Sequence, residues 1–162
     1  MKFNIVIPFY KNYDTIEALL LSIADQDHKD YDVTVVIDGH DKKAEELLMS
    51  FTNEYSFTLE VIKENSGASA ARNLGASISR DSDESILFFI DADCKLMPGI
   101  LHEFNTRFEL DSSIDFCYGN YRFEIDKPAF ISQEFDPFLL ETMNYIPTMS
   151  PIKRKAFESV GG

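Results

Sequence analysis

Positive charge is scarce in this chain: 15 lysines and arginines stand against 28 aspartates and glutamates, a formal net charge of −13. This balance argues against a role that depends on gripping a nucleic-acid backbone or an anionic membrane surface, because both need a basic face. An anionic substrate would need a cation supplied locally. Long apolar runs are missing too. None approaches the roughly 20 residues that a membrane span requires, and residues 1–5 lead into a strand rather than a signal peptide. These features predict a soluble, cytoplasmic chain. Cysteine is limited to Cys94 and Cys117, without a Cys-x-x-Cys spacing, so neither a zinc site nor a disulfide framework is suggested, and free thiols fit a reducing compartment. Internal repeats, linkers and low-complexity stretches are also lacking. What the chain does have is 162 residues at 44% hydrophobic and 13% aromatic composition, enough for one domain with a real core.

The stretch around which the chain is organised is Ile86-Leu87-Phe88-Phe89-Ile90-Asp91-Ala92-Asp93, an apolar run ending in two carboxylates. Such a run reads as a parallel strand covered on both faces, and in open α/β sheets ligands sit beyond the carboxyl ends of these strands. Residues two apart on extended chain point the same way, so Asp91 and Asp93 can face one ligand. A divalent cation would relieve their repulsion, and oxygen-only donors select magnesium or manganese. The alternative is that the pair merely caps the following turn, where aspartate is common.

The rest of the chain alternates strand and helix. Residues 3–7 form a first strand, ended by Pro8, which cannot donate to a ladder. Asp14 with Glu17 resembles a capping box for a helix through Ala24, with Ile16, Leu19, Leu20 and Ile23 at helical spacing. Residues 33–37 form a second strand delivering Asp38-Gly39-His40-Asp41 to its carboxyl end, residues 42–51 a helix, and residues 57–62 a third strand. Asn65 to Gly75 reads as a glycine-bearing loop followed by a helix of small residues. Tight helix-on-sheet packing explains Ala70, Ala71, Gly75 and Ala76 there, but not Arg72 and Asn73. Pro98 suits the first turn of a helix whose apolar face is Ile100, Leu101, Phe104 and Phe108. Residues 114–119 read as a fifth strand. Residues 124–148, broken by Pro128, Pro137 and Pro147, show no assignable pattern, and residues 152–160 form a last helix stopped by Gly161-Gly162. The order βαβαβ predicts an α/β fold with a mostly parallel, doubly wound sheet.

Taken in order along the whole chain, Pro8-Phe9-Tyr10, Ile37-Asp38-Gly39-His40, the Asn65 to Gly75 stretch, Asp91-Ala92-Asp93 and Gly161-Gly162 resemble the family 2 glycosyltransferases of the GT-A fold. The most specific part is the set Asn65, Gly67, Ala71, Arg72, Asn73 and Gly75. The resemblance implies a Rossmann-like, mostly parallel sheet with helices on both faces. It further implies inverting transfer from a nucleoside-diphosphate sugar, usually a UDP-sugar, to a saccharide or lipid-linked acceptor in surface-glycan synthesis. By the same resemblance Asp93, with Asp91, would ligate Mn²⁺ or Mg²⁺, and Asp91 and Ala92 would lie near the ribose and sugar. Asp38 would hydrogen-bond the uracil, Pro8 and Tyr10 would pack near the base, and Asn65, Gly67 and Arg72 would help hold the nucleotide. Ile37 and His40 depart from the usual Asp-Asp-Gly-Ser, which bears on which base is read. The resemblance also places the general base beyond Gly162, so that residues 1–162 would be the donor-binding part of a longer GT-A domain. None of Asp126, Glu134, Asp136 and Glu141 matches that role, and any membrane association would come only through regions outside these residues.

The chemistry accounts for the residue types. Breaking the anomeric bond releases a diphosphate, whose growing charge a divalent ion neutralises, and inversion needs a carboxylate to take the acceptor's proton from the opposite face. Other readings have weaker support. A phosphatase of the haloacid-dehalogenase type also uses a strand ending in Asp-x-Asp, but on its first strand, and a sugar nucleotidyltransferase would carry a glycine-rich loop where Pro8-Phe9-Tyr10 stands. A non-catalytic donor-binding module is the main alternative. His28, His40 and His102 lack metal spacing and read as surface residues, Cys94 as a small filler, and Tyr118, Phe123, Phe130, Phe135 and Phe138 as core.

Overall fold

The structure, a computed structural model, describes residues 1–79, 83–123 and 126–162. Five strands form one sheet in the order β3-β2-β1-β4-β5: β1 (Phe3–Phe9), β2 (Tyr31–Asp38), β3 (Thr58–Ile62), β4 (Ile86–Phe89) and β5 (Ile152–Lys153). All pairs are parallel except β4 with β5. The chain steps from β1 outward to β2 and β3, then returns to β4 on the other side of β1. The crevice above the carboxyl ends of β1 and β4 is therefore the switch point at which such sheets bind ligands.

Helices α1 (Ile16–Ala24), α2 (Lys42–Phe51) and α4 (Ile100–Leu110) cover one face, where Leu19, Ile23, Leu48, Leu101 and Phe104 bury against Ile5, Ile7, Val35 and Phe88. Helices α3 (Ala68–Ile78) and α6 (Arg154–Ser159) cover the other, where Ala76 and Phe157 meet Val6, Leu87 and Phe89. A short α5 (Pro137–Leu140) stands apart, capped by Asp136 Oδ1, which accepts from the N–H groups of Phe138 and Leu139. Among the described residues no helix is long and apolar enough to cross a membrane.

Several local expectations need correction. The first strand does not stop at Pro8 but runs through it to Phe9, with Pro8 in register opposite Val36. The Val6 carbonyl accepts from Ile90 N at 3.0 Å and so faces β4. Two residues on, Pro8 faces the same side beyond the end of β4, where no donor is required. Thr15, not Asp14, is the N-cap of α1. Pro98 precedes the α4 cap, which is Gly99 in the left-handed region at φ 76°.

The fifth strand expected at 114–119 is reduced to one antiparallel bridge, Phe116 with Ile152. Cys117 N donates to Pro151 O and Lys153 N to Asp115 O, but Pro151 has no N–H and α6 begins at Arg154, so the ladder cannot lengthen in either direction. Residues 152–153, expected in the last helix, are β5. The aromatic residues expected as core are largely exposed, Phe123 at 85% and Phe138 at 80%. They lie outside the two helix-covered faces, and several pack on other aromatic rings of the same region, as in the Tyr121–Phe130 stack at 4.9 Å and the Phe116–Phe135 edge contact at 5.6 Å. Glu124 and Ile125, which open the unassigned stretch, lie outside the described residues.

Candidate functional site

The switch point holds a cavity of about 420 Å³ lined by Pro8, Phe9, Tyr10 and Asn12 from the end of β1, Asp38 from β2, Asn65, Gly67 and Ala68 from the start of α3, and Asp91, Ala92 and Asp93 after β4. Four chain segments far apart in sequence thus converge there. Arg72 completes the set from the second turn of α3, its NH2 donating to Asp91 Oδ1 at 2.6 Å. That Arg72 side chain is 19% exposed and its Nε is buried without a partner. Phe9, within the Pro8-Phe9-Tyr10 motif, Ala68, within the Asn65 to Gly75 stretch, and Asn12, two residues after Tyr10, were given no role from the sequence.

The three aspartates at the strand ends do different work. Asp38 is buried, and its Oδ1 and Oδ2 accept from the backbone N–H groups of Ser66 at 2.7 Å and Gly67 at 2.8 Å. Its carbonyl also receives the Asn65 amide at 3.3 Å. Asp38 therefore holds the turn that launches α3, whose N-cap, Gly67, has no side chain and adopts φ +88°, a conformation favouring glycine. The Asp91 carboxylate is tied, among the described residues, by Arg72 alone, while Asp93 is exposed, with the Cys94 thiol 3.7 Å from its Oδ1. Burial first, and then the carboxylates of Asp93 and Asp91, push the Cys94 thiol up to about 12, so it stays neutral at physiological pH.

No group of three or more histidine, cysteine, aspartate or glutamate side chains that could hold a metal is found among the described residues. Two oxygen-bearing carboxylates without a full protein cage still suit a magnesium-like ion, which binds through one or two carboxylates and takes its remaining ligands from substrate phosphates and water.

Outside Tyr10 a second, more open hollow of about 660 Å³ shares Tyr10, Asp38 and Asn65 with the first and is lined by Lys11, Lys42, Lys43 and Lys63. Scarce positive charge is thus concentrated at the mouth of the site. Part of it is already engaged: Lys42 lies 3.6 Å from Glu46, and Lys43 sits 3.9 Å over the Tyr13 ring. None of the three histidines lines the first cavity, while His40 lines the second hollow. His28 contacts the Met1 carbonyl at 3.0 Å and His40 pairs with Glu45 at 3.1 Å.

The fold is similar to that of S. aureus TarS residues 1–349, solved in complex with UDP, with a TM-score of 0.79 at 17% identity over 99% of this chain and 49% of that one. It is also similar to the mannosyltransferase PcManGT from Pyrobaculum calidifontis, solved with GDP-Man and Mn²⁺, with a TM-score of 0.76 at 16% identity over 99% and 47%. An uncharacterized glycosyltransferase of Haemophilus influenzae is 28% identical over 170 residues, covering 98% of this chain and 55% of the relative. The chain therefore spans about half the length of these proteins. The family model for glycosyl transferase family 2 matches residues 4–161, and the chain belongs to that family.

Proposed function

We propose that these residues are the donor-binding part of a glycosyltransferase that takes sugar from a nucleoside diphosphate, most simply a UDP-sugar, and transfers it with inversion to a saccharide or lipid-linked acceptor. The observation that carries this reading is the convergence of Asp91, Asp93, Asp38 and the Pro8-Phe9-Tyr10 turn on one cavity at the switch point. Family membership supports the reaction class, and the UDP and GDP-Man complexes of proteins with this fold support the donor class.

Each side chain has a role in this reading. Tyr10, half exposed at the rim, offers its ring to the base. Each Asp38 oxygen accepts one backbone N–H and retains acceptor capacity for the imide N–H of uracil. Arg72 fixes Asp91 toward ribose and sugar, leaving Asp93 as the principal ligand for Mn²⁺ or Mg²⁺. A divalent ion there would neutralise the charge growing on the departing diphosphate. The carboxylates lining the cavity are all committed to donor or metal in this scheme, and Asp136 is spent capping α5. In this reading neither they nor Asp136 is the base that deprotonates the acceptor, and residues 1–162 should bind donor without transferring it.

Thermal-shift titration with UDP, GDP and Mn²⁺, alone and combined, tests this. UDP at 100 times its dissociation constant, with Mn²⁺ present, should add about 2.7 kcal/mol, a rise of roughly 5–10 °C at this size. Asp93→Ala should abolish the metal-dependent part while leaving the unliganded melting temperature within about 2 °C, since exposed substitutions usually change stability by no more than about 0.5 kcal/mol. Unchanged metal-dependent UDP binding in Asp93→Ala would remove Asp93 as a ligand.

A further inference from the structure

We propose that Thr15, Ser22 and Gln26, three polar residues in line along α1 and its C-terminal end, are positioning residues that set the Asp91–Asp93 carboxylates. The inference rests on the reading of those carboxylates as the donor and metal site. The segment between β4 and α4 carries both aspartates yet has little internal hydrogen bonding. Cys94 N to Asp91 O at 3.0 Å and Ile100 N to Met97 O at 3.3 Å are its own backbone bonds among the described residues.

Four further bonds come from the α1 side. The Thr15 hydroxyl donates to Ala92 O at 2.9 Å, and Ser22 Oγ accepts from Leu96 N at 3.0 Å. Gln26 Nε2 donates to Met97 O at 3.0 Å while its Oε1 accepts from Leu101 N at 3.2 Å. Ser22 follows the Thr15 cap by seven residues, about two helical turns, and Gln26 stands two residues beyond Ala24, the last residue of α1.

Two features mark this stripe as more than packing. Gln26 is 1% exposed and Ser22 5%, in a helix whose neighbouring face is apolar, so leucine or methionine would fill the space without an amide or hydroxyl to satisfy. The stripe also supplies what the loop cannot. The α4 cap, Gly99, has no side chain, so Leu101 N would be an orphan helix-end donor without Gln26 Oε1. Thr15 acts nearest the chemistry. The Ala92 carbonyl it holds lies in the same peptide plane as the Asp93 nitrogen and Cα, so fixing that carbonyl fixes the Asp93 N–Cα bond and leaves φ as the one backbone rotation that still moves the Asp93 side chain.

The test pairs Thr15→Val, which keeps shape and loses the hydroxyl, with Thr15→Ser, which restores it, and adds Gln26→Met. Calorimetry measures Mn²⁺ affinity with UDP present and UDP affinity in EDTA. Thr15→Val should weaken Mn²⁺ binding about tenfold or more, as loss of a ligand's supporting bond commonly does, with metal-free UDP affinity unchanged and Thr15→Ser near wild type. Hydrogen exchange, which needs neither metal nor donor, should rise about tenfold at Leu101, whose acceptor is Gln26 Oε1, in Gln26→Met while the amides of β1 and β2 keep their protection. Equal losses of metal-dependent and metal-free binding, or exchange raised throughout the sheet, would show a merely structural stripe. A wild-type chain that binds no Mn²⁺ with UDP would remove the donor reading and this inference together. Normal wild-type binding, a null Asp93→Ala and an unaltered Thr15→Val would overturn the inference alone.

Discussion

The two faces of the sheet are built differently. Under α1, α2 and α4 lies a thick apolar layer in which Phe3, Ile5, Ile7, Phe9 and Phe88 meet large aliphatic and aromatic side chains from the helices. Under α3 and α6 the apolar layer is thin, with Val6, Leu87 and Phe89 against Ala76 and Phe157. There Gly75 brings α3 directly onto Val6 and Val36, and the end nearest the starts of β1 and β4 is filled by the 1%-exposed Arg154. Its guanidinium donates to Ser85 Oγ at 3.0 Å, Ala76 O at 2.8 Å, Asn4 Oδ1 at 3.1 Å and Ser79 O at 3.3 Å. One arginine thus ties β1, the segment before β4 and the carboxyl end of α3 to the start of α6, with Glu158 3.5 Å away. The thick face depends on volume, whereas the thin face depends on close approach and on one fully bonded cation. A conservative change should therefore be mild on the first and severe on the second.

The largest effect should come from Arg154→Ala, which leaves several buried acceptors without their donor and a cavity in their midst. About 3–5 kcal/mol is expected, the usual cost of breaking a buried charged network by removing one member. Arg154→Lys should recover little, because a single ammonium cannot reproduce the planar fork. Urea unfolding measures both: a loss under about 1 kcal/mol for Arg154→Ala would mean that the thin face does not depend on this residue, and so small a loss for Arg154→Lys would mean that a cation suffices without the fork.

Next in size is the close approach of α3. A methyl added at Gly75 would land on Val6 Cγ1 and lie 3.2 Å from Val36 Cγ2, and both valines are fully buried. Gly75→Ala should cost about 1–3 kcal/mol through overpacking, although alanine favours helix by up to about 1 kcal/mol. Its counterpart on the thick face, Ile7→Val, should cost about 0.5–1.5 kcal/mol. Adding Val6→Ala to Gly75→Ala should return part of the loss, a coupling that a double-mutant cycle reads directly. Strict additivity would mean that the helix shifts rather than clashes.

The same contrast explains what was legible in the sequence. Helical spacing along α1 and α4 and the apolar runs of β2 and β4 gave the thick face, because each element carries its own period. The Asp91-Ala92-Asp93 turn and Asp38 followed from their places at strand ends. Arg154 carried no signal, since an arginine in a polar hexapeptide reads as surface until β5 and α6 turn it inward. Thr15, Ser22 and Gln26 were hidden for a related reason: the apolar positions of α1 were read and the polar line beside them was not. The strand expected at 114–119 failed because its partner is two residues long, and no local pattern reports that Pro151 and α6 stop the ladder.

The smallest expected effect separates a buried polar contact from an exposed one. At the solvent end of the thick face, Asp41 caps α2 through Oδ1, which accepts from Ala44 N at 3.1 Å, while Oδ2 accepts from the Tyr13 hydroxyl at 2.6 Å. The Tyr13 hydrogen bond, followed by that backbone N–H, holds the Asp41 carboxyl below its ordinary range, and the same bond raises Tyr13. For Asp41 the folded value lies below the unfolded one of about 3.9. Its contribution is therefore present above about pH 4 and lost as pH falls through the folded value. For Tyr13 the folded value lies above the unfolded one of about 10, so its contribution is present below about pH 10 and lost as pH rises through the folded value. Tyr13→Phe should thus destabilise slightly and evenly across the neutral range, with the difference from wild type shrinking below about pH 4 and again above about pH 10. Because both groups are solvated, the change should stay far below that of Arg154→Ala and diminish further in high salt. Urea unfolding of both proteins at pH 2.5, 7 and 10.5 measures it. A difference independent of pH would show that the Tyr13 ring, packed against Phe9 at 5.9 Å, matters there through its area and not through its hydroxyl.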